Sequence, residues 1–229
     1  MFNMQKAAGI AALAEALVYV VGFTAMATLL NPGGTDTWGQ AEKLASVLER
    51  KTIFQPLNLF IYVFFGVVLV VLTVALNERM KPEAGVLMQI ASSFGLIWAG
   101  LVIASGMIAS VGLDAVAKLH GQDATLAITV WTVIAAIQDG IGGGVEVVGG
   151  VWLFLVSVAS LRSRSFPRLL DCLGVVVGLA GILTVVPTLR DLGAVFGVGQ
   201  IFWFAAIGVF MLRGNGTQPE RQAVVSASR

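Results

Sequence analysis

The first residues that could do chemistry are two acids in a glycine-rich stretch, 139–150. Asp139 and Glu146 stand seven residues apart, with four glycines between them. Seven residues make about two turns of an α-helix, so on a continuous helix both carboxyl groups lie on one nearly side-chain-free face. This pattern has two interpretations in a membrane. Small residues let helices pack closely, with the acids hydrogen-bonded there, or the acids form a proton or cation site, because ionisable groups in lipid are costly and usually functional.

The same glycines could also break the helix, as in the discontinuous helices of some transporters. No second, repeat-related broken segment is visible in the sequence. More generally, we expect glycines to form close helix contacts at Gly142, Gly143, Gly149, Gly150, Gly174, Gly178 and Gly181.

Other polar residues fall at related depths in the apolar segments. Gln55, Asn58 and Gln200 lie near the same end as the two acids, so the five could line one polar cavity open to the outer face. Glu15 is the deepest acid towards the opposite end. We expect it either to relay protons on the inner side or to be a carboxyl group hydrogen-bonded to a neighbouring helix.

The sequence lacks the residues that most enzymes and cofactor-binding proteins need. His120 is the only histidine and Cys172 the only cysteine, so one chain offers no pair of axial haem ligands and no intrachain disulfide. Phosphate-binding loops and Ser/His/Asp sets are absent from the sequence. We therefore expect a protein that is not an enzyme and has no cofactor and no metal site. A net charge of +1 argues against nucleic acid as a partner.

The composition predicts the elements that must position these residues. The chain is 57% hydrophobic and 12% charged, whereas a soluble domain is about 25% charged. Lipid is therefore the expected solvent. A spanning helix needs about 20 apolar residues, and six segments qualify, namely 7–30, 53–76, 84–111, about 136–161, 169–189 and 193–212. The predicted fold is all-α, a transmembrane bundle of about six helices.

Basic residues predict the orientation, because cytoplasmic loops are enriched in lysine and arginine. With the N-terminus inside, nine basic residues face the cytoplasm and five face outwards. Both termini are then cytoplasmic. We expect residues 1–213 to form the transmembrane domain and 214–229 a disordered cytoplasmic tail.

Two connecting regions need comment. After the turn at 31–34, the first outer loop has the pattern of a short amphipathic helix from Trp38. Residues 113–138 have two interpretations: they lie outside or at the interface, or they extend a helix well beyond the membrane. The connections 77–83 and 162–168 are expected to be tight and polar.

The C-terminal half carries a family resemblance. The run Leu161–Leu183 contains a polar turn, Ser163-Arg-Ser-Phe-Pro-Arg168, between an apolar helix and a helix bearing Gly174, Gly178 and Gly181, and Gly149-Gly-Val-Trp-Leu-Phe-Leu precedes it. This run resembles bacterial membrane proteins of the family named domain of unknown function 4386. The resemblance implies a multi-helix protein of the bacterial cytoplasmic (inner) membrane. It supplies no activity and no site residues.

Three functions are compatible with these patterns. The leading hypothesis is a non-enzymatic protein that binds or passes a small solute or a proton, with Glu146 and Asp139 as its key groups. The second is an accessory or assembly subunit, whose glycine ridges contact a larger membrane complex or a second copy of the chain. The third, an enzyme acting on lipid, would need convergent basic residues, and Arg162, Arg164 and Arg168 are more simply topology signals.

Overall fold

The regular structure of the described chain is helical. The computed structural model describes residues 4–30, 38–143 and 146–213, and within these ranges it contains helices and no strand. The predicted tail, 214–229, lies outside the described residues. The α-helices are α1 (Met4–Ala25), α2 (Gln40–Glu49), α3 (Lys51–Asn58), α4 (Phe65–His120), α5 (Ala124–Gln138), α6 (Val147–Ser163), α7 (Arg168–Leu183) and α8 (Leu192–Arg213).

Three π-helical turns and one 3₁₀ turn complete the regular structure of these ranges. The first π turn, Met26–Leu30, continues α1, and the second, Leu59–Phe64, joins α3 to α4. The third, Asp139–Gly143, follows α5, and the 3₁₀ turn, Pro187–Leu189, precedes α8. Each of the three π turns follows the end of an α-helix, namely α1, α3 and α5.

Helix α4 folds back on itself at a sharp kink. Ala84 has non-helical φ and ψ of −133° and 35°, and it lies between Pro82 and Gly85, two residues that weaken a helix. A Cβ on Gly95 of the second arm would meet the Thr73 side chain of the first. The two arms therefore pack as an antiparallel pair. The polar connection predicted for 77–83 is helical up to this kink, not a loop.

Glycines bring the other helices together within the chain. A Cβ on Gly150 of α6 would lie 2.6 Å from the Ile182 amide nitrogen and 2.7 Å from the Gly178 carbonyl oxygen of α7. Gly149 lies against the Trp98 ring, and Gly181 against Phe196 of α8. Close helix approach in lipid depends on such residues, because apolar burial provides little drive there. These glycine contacts are intramolecular.

Three predicted helices differ from the observed ones at an end. Helix α7 ends at Leu183, six residues before the predicted end, because Thr184 and then Pro187 terminate it. The predicted span 136–161 is divided, since α6 begins only at Val147. The predicted amphipathic helix of the first outer loop is α2, which begins two residues after Trp38.

Residues 113–138 form part of a long helical hairpin. Helix α4 continues to His120, and α5 returns along it, with Ile134 packed where a Cβ on Gly112 would lie. Helix α2 covers this hairpin through Leu44, which is fully buried with Val116 and Ala127. The stretch is therefore helical, with a turn between His120 and Ala124, and its position relative to a membrane stays a prediction.

Large apolar side chains are exposed on the surface of the described chain, while its core is apolar as well. Leu17, Ile97, Val176 and Phe202 are more than half exposed on four different helices. The polar side chains that are fully buried, with no exposed area, are Glu15, Ser105, Thr184 and Gln200. Exposed apolar surface on this scale is typical of a protein whose solvent is lipid.

Four helical stretches are long and apolar enough to cross a membrane by length and composition. They are Met4–Leu29, Lys51–His120, Ala124–Ile141 and Leu192–Arg213. The second has 70 residues and contains the kink. Helix α6 is apolar but shorter, so length alone does not identify it as a span.

The Gly150 contact predicts a position-specific loss of stability. Gly150→Ala should lower the free energy of unfolding by about 1–3 kcal/mol, because the new methyl group would overlap backbone atoms of α7. The measurement is thermal unfolding of the purified protein in detergent. Gly100→Ala is the control, since a Cβ there meets nothing within 4 Å. Equal stability of the two variants would contradict the close α6–α7 contact.

Candidate functional site

Glu146 stands at an interruption between two helices. The third π turn ends at Gly143, and α6 begins at Val147 with Glu146 as the residue before it, at φ −92° and ψ 23°. The Glu146 backbone N–H donates a hydrogen bond of 2.8 Å to Thr184 Oγ1, which donates one of 2.7 Å to the Gly181 carbonyl oxygen. The start of α6 is thereby attached to the end of α7.

This interruption corrects the predicted acidic ridge. The two carboxyl groups do not share the face of one continuous helix, because the α-helical register is lost between α5 and α6. Asp139 is exposed, whereas Glu146 is half-buried. Gly142 and Gly143 belong to the third π turn, and their packing lies outside what the structure describes.

A cavity of about 220 Å³ lies between α1, α3, the second π turn and α4, and Glu146 forms part of its wall. We call it the aromatic cavity, because six of its lining residues carry rings, namely Tyr19, Phe23, Phe54, Tyr62, Phe65 and Trp98. Phe23 and Met26 line it and are themselves exposed, so the cavity opens at the molecular surface. Its lining is mainly apolar, not polar as expected.

A second, smaller cavity reaches Glu146 from another side. It has a volume of about 70 Å³ and is lined by residues of the third π turn and the start of α6, including Gly140 and Val147. Trp98 and Glu146 line both cavities. The Glu146 side chain therefore stands where two internal spaces meet, beside one indole ring.

The three π-helical turns surround these two spaces. Met26 of the first turn and Ile61 and Tyr62 of the second line the aromatic cavity, and Gly140 and Ile141 of the third line the smaller one. A π turn has i→i+5 hydrogen bonds in place of the i→i+4 bonds of an α-helix, so it is wider. Such turns are frequent at functional sites. Their convergence here marks this region as the candidate site.

The structure brings together only part of the predicted residue set. Glu146 and Asn58 line the aromatic cavity. Gln55 points elsewhere, donating a hydrogen bond of 2.9 Å to Asp114. Gln200 is fully buried in α8, and its side-chain atoms have no hydrogen-bond partner in the described chain. The expectation of one cavity lined by all five polar residues therefore differs from the structure, because the helix interruption moves Asp139 outwards and α3 directs Gln55 to α4.

Glu15 lies in the core, away from both cavities. Its side chain has no exposed area, and neither carboxyl oxygen has a hydrogen-bond partner among the described residues. The hydrogen bond expected with a neighbouring helix is therefore not observed. Tyr19, one turn further along α1, lies within electrostatic range of both Glu15 and Glu146. Tyr19 also lines the aromatic cavity, so it lies between the buried acid and the site.

Tyr19 and Tyr62 are site residues that the sequence reasoning missed. Each lies in an apolar segment, where a tyrosine resembles any other core aromatic residue. The spacing of four residues between Glu15 and Tyr19 was the only available signal, because it places the two side chains on one helical face. Tyr62 lies in the second π turn and lines the aromatic cavity from there, and no feature of the sequence predicts that turn.

Polar contacts attach α3 to its neighbouring segments. Lys51 forms an ion pair of 2.5 Å with Asp114, which also accepts the hydrogen bond from Gln55. Arg50 donates a hydrogen bond of 3.3 Å to the Leu29 carbonyl oxygen at the end of the first π turn. These bonds attach α3, which supplies one wall of the cavity, to α4 and to the extension of α1.

Cofactor-binding geometry is not apparent in the described residues. Nowhere in these ranges do three or more histidine, cysteine, aspartate or glutamate side chains gather as a metal site would require. Chemically, the site offers one carboxyl group, one amide, two phenols and several aromatic faces. That set can bind and orient a solute and exchange a proton.

Comparisons with known proteins found no match. No family model matches the chain, no curated protein matches it, and no solved structure matches it. The resemblance to domain of unknown function 4386 therefore stays a prediction from the residues that carry it.

The polar contacts of α3 predict a local effect on dynamics. Asp114→Asn should speed amide hydrogen exchange in α3 several-fold while leaving the unfolding temperature nearly unchanged, because exposed ion pairs contribute little to global stability. Hydrogen–deuterium exchange with mass spectrometry is the measurement. Glu78→Gln is the control, since it removes another exposed ion pair, the one between Glu78 and Lys81 on α4. Unaltered exchange of α3 in Asp114→Asn would show that these bonds do not hold the cavity wall.

Proposed function

We propose that this chain is a non-enzymatic integral membrane protein of the bacterial inner membrane that crosses the bilayer six times, with both termini in the cytoplasm. The kink at Ala84 supports this count, because it lets α4 contribute two antiparallel arms. Helices α1, α6, α7 and α8 supply the other four crossings. Helices α2 and α5 and the end of α4 then form an outer layer. The bias of basic residues supports the orientation.

Within this membrane protein, the site binds a small solute and exchanges it with a proton at Glu146. The single observation that carries the proposal is the carboxyl group at a helix interruption, lining two cavities of which one opens at the surface. An ionisable group within lipid needs a proton or a partner. A solute that supplies the partner releases the proton, so binding and protonation are coupled by linkage.

The character of the cavity restricts the solute. Its wall is formed mainly by aromatic and aliphatic side chains, with Asn58 and Glu146 as polar points. Ligand sites of this kind bind an apolar body and orient it through a few polar groups. The solute is therefore predominantly apolar and carries one polar end. A polar cavity, as predicted from the sequence, would instead bind a hydrophilic solute.

Glu15 supports a route for the proton away from the site. It lies one turn of α1 from Tyr19, whose phenol ring contributes to the aromatic cavity. Neither Glu15 oxygen is hydrogen-bonded in the described chain, so passing a proton between the two acids through Tyr19 requires these side chains to form new hydrogen bonds. In this proposal, Glu15 is the inner relay and Asp139 is outside the route.

The alternative function is an accessory subunit of a larger membrane complex or a homo-oligomer. Glycine ridges that contact a partner are the sequence argument for it. Five of these glycines contact other parts of the same chain instead, namely Gly149, Gly150, Gly174, Gly178 and Gly181. What favours this alternative now is α5, whose Leu126, Val133 and Ile137 are exposed. An oligomer or complex that dissociates when these three residues are changed to serine would support the accessory role.

Filling the cavity predicts the loss of a bound solute. Native mass spectrometry of the protein in lipid nanodiscs should show a small-molecule adduct on the wild type. Gly22→Trp should remove it, because Gly22 lines the aromatic cavity and a Cβ there has room, with Ile61 at 3.8 Å. Gly100→Trp is the matched control, since Gly100 is exposed and its Cβ would meet nothing.

Glu146→Gln should also weaken the adduct, since it keeps the size of the side chain and removes its charge. An adduct that persists in Gly22→Trp would place the solute elsewhere. A wild-type protein whose mass always equals that of the bare chain would contradict the proposed binding function.

A further inference from the structure

The aromatic cavity combines aromatic rings with a carboxyl group and no counter-charge. Of the residues that line it, Glu146 is the only acid, and none of the described lining residues is lysine, arginine or histidine. From this arrangement we infer that the solute is an organic cation, an ammonium group attached to an aromatic or aliphatic body. The inference rests on the proposed function of the same site and adds the charge and class of its ligand.

The rings form a continuous wall. Tyr19 contacts Phe65 edge to face at a centroid distance of 5.5 Å, and Phe65 contacts Trp98 in the same way at 5.4 Å. Trp98 borders Glu146 in both cavities. Aromatic faces carry partial negative charge and attract cations, most strongly for tryptophan and for quaternary ammonium groups. An anion would meet both these faces and a carboxylate.

The charge of Glu146 decides between a cation and a neutral solute. A carboxylate removed from water is strongly unfavourable unless it is paired. Its backbone N–H is bonded to Thr184, and no ion pair of its side chain occurs in the described chain. A cationic solute supplies the missing partner, whereas a neutral solute leaves the carboxyl group to its proton. Solute cation and proton therefore compete for one group.

The size of the cavity agrees with a small amphipathic cation. A cavity of about 150 Å³ accommodates benzene in another protein, and the aromatic cavity is larger, at about 220 Å³. By that ratio the cavity holds about nine non-hydrogen atoms, so a ring and part of a trimethylammonium head occupy it while the rest lies in its opening. The amide of Asn58 on the same wall offers a further polar contact for a head group.

The test compares two isosteres on the full-length protein in nanodiscs by isothermal titration calorimetry. Benzyltrimethylammonium carries the charge, and neopentylbenzene has the same shape with carbon in place of nitrogen. The heat measured with Gly22→Trp is subtracted to remove partitioning into lipid. Wild-type protein should bind the cation about tenfold more tightly than the neutral isostere. Affinity for the cation should fall as the pH is lowered, because protons occupy Glu146.

Glu146→Gln should abolish both the preference for the cation and its pH dependence. Glu49→Gln, a change of the same kind at an exposed position, should retain both. If neopentylbenzene binds as tightly as the cation, or Glu146→Gln keeps the preference, the cation inference is overturned while the solute site stands. If neither compound binds and native mass spectrometry shows no adduct, the proposed function fails as well.

Discussion

Backbone amide and carbonyl groups without partners are costly in hydrocarbon, and this constraint governs the path of the chain. Along most of α1, α4, α6, α7 and α8 it is met by helical hydrogen bonds within each segment. Where the helix is interrupted before α6, the Glu146 amide is bonded to Thr184, the residue that follows α7, and Thr184 is bonded in turn to a backbone carbonyl. The interruption is thus protected by a neighbouring helix, and the carboxyl group of the same residue is left for the cavity. The hydrogen bond between Glu146 and Thr184 therefore both joins α6 to the end of α7 and holds the acid of the site in place.

The constraint also explains how much of the fold could be predicted. Apolar length is a strong signal, because lipid admits only segments that satisfy their own backbone, and the helical class and the long apolar helices followed from it. The number of crossings and the orientation remain predictions from length and charge. Boundaries were less predictable. Helix α4 continues through the polar residues 77–83 until Pro82, because a charged sequence can be helical as readily as an apolar one.

The site was predictable only in part. Glu146 was identified because an acid in an apolar, glycine-rich stretch is rare, and Asn58 because of its depth. The prediction that the two acids share one helical face was wrong, because it assumed a continuous helix. The run 140–150 contains six glycines, which tolerate an interruption that the hydrophobic periodicity does not reveal. The roles of Tyr19, Tyr62 and Trp98 could not be found, since they arise from π turns and from contacts between distant segments. A buried aromatic residue and a cavity-lining one look the same in a sequence.

The most direct measurement of the central claim is the accessibility of the aromatic cavity to water from outside the membrane. In a Cys172→Ser background, Asn58→Cys places the only thiol in the cavity wall. In right-side-out vesicles, a membrane-impermeant maleimide should label it, and adding Gly22→Trp should slow the reaction. Gly100→Cys, exposed on the apolar surface of α4, should stay unlabelled in the same vesicles. Labelling of Asn58→Cys only after detergent is added would contradict an outward-facing cavity in a lipid-embedded bundle.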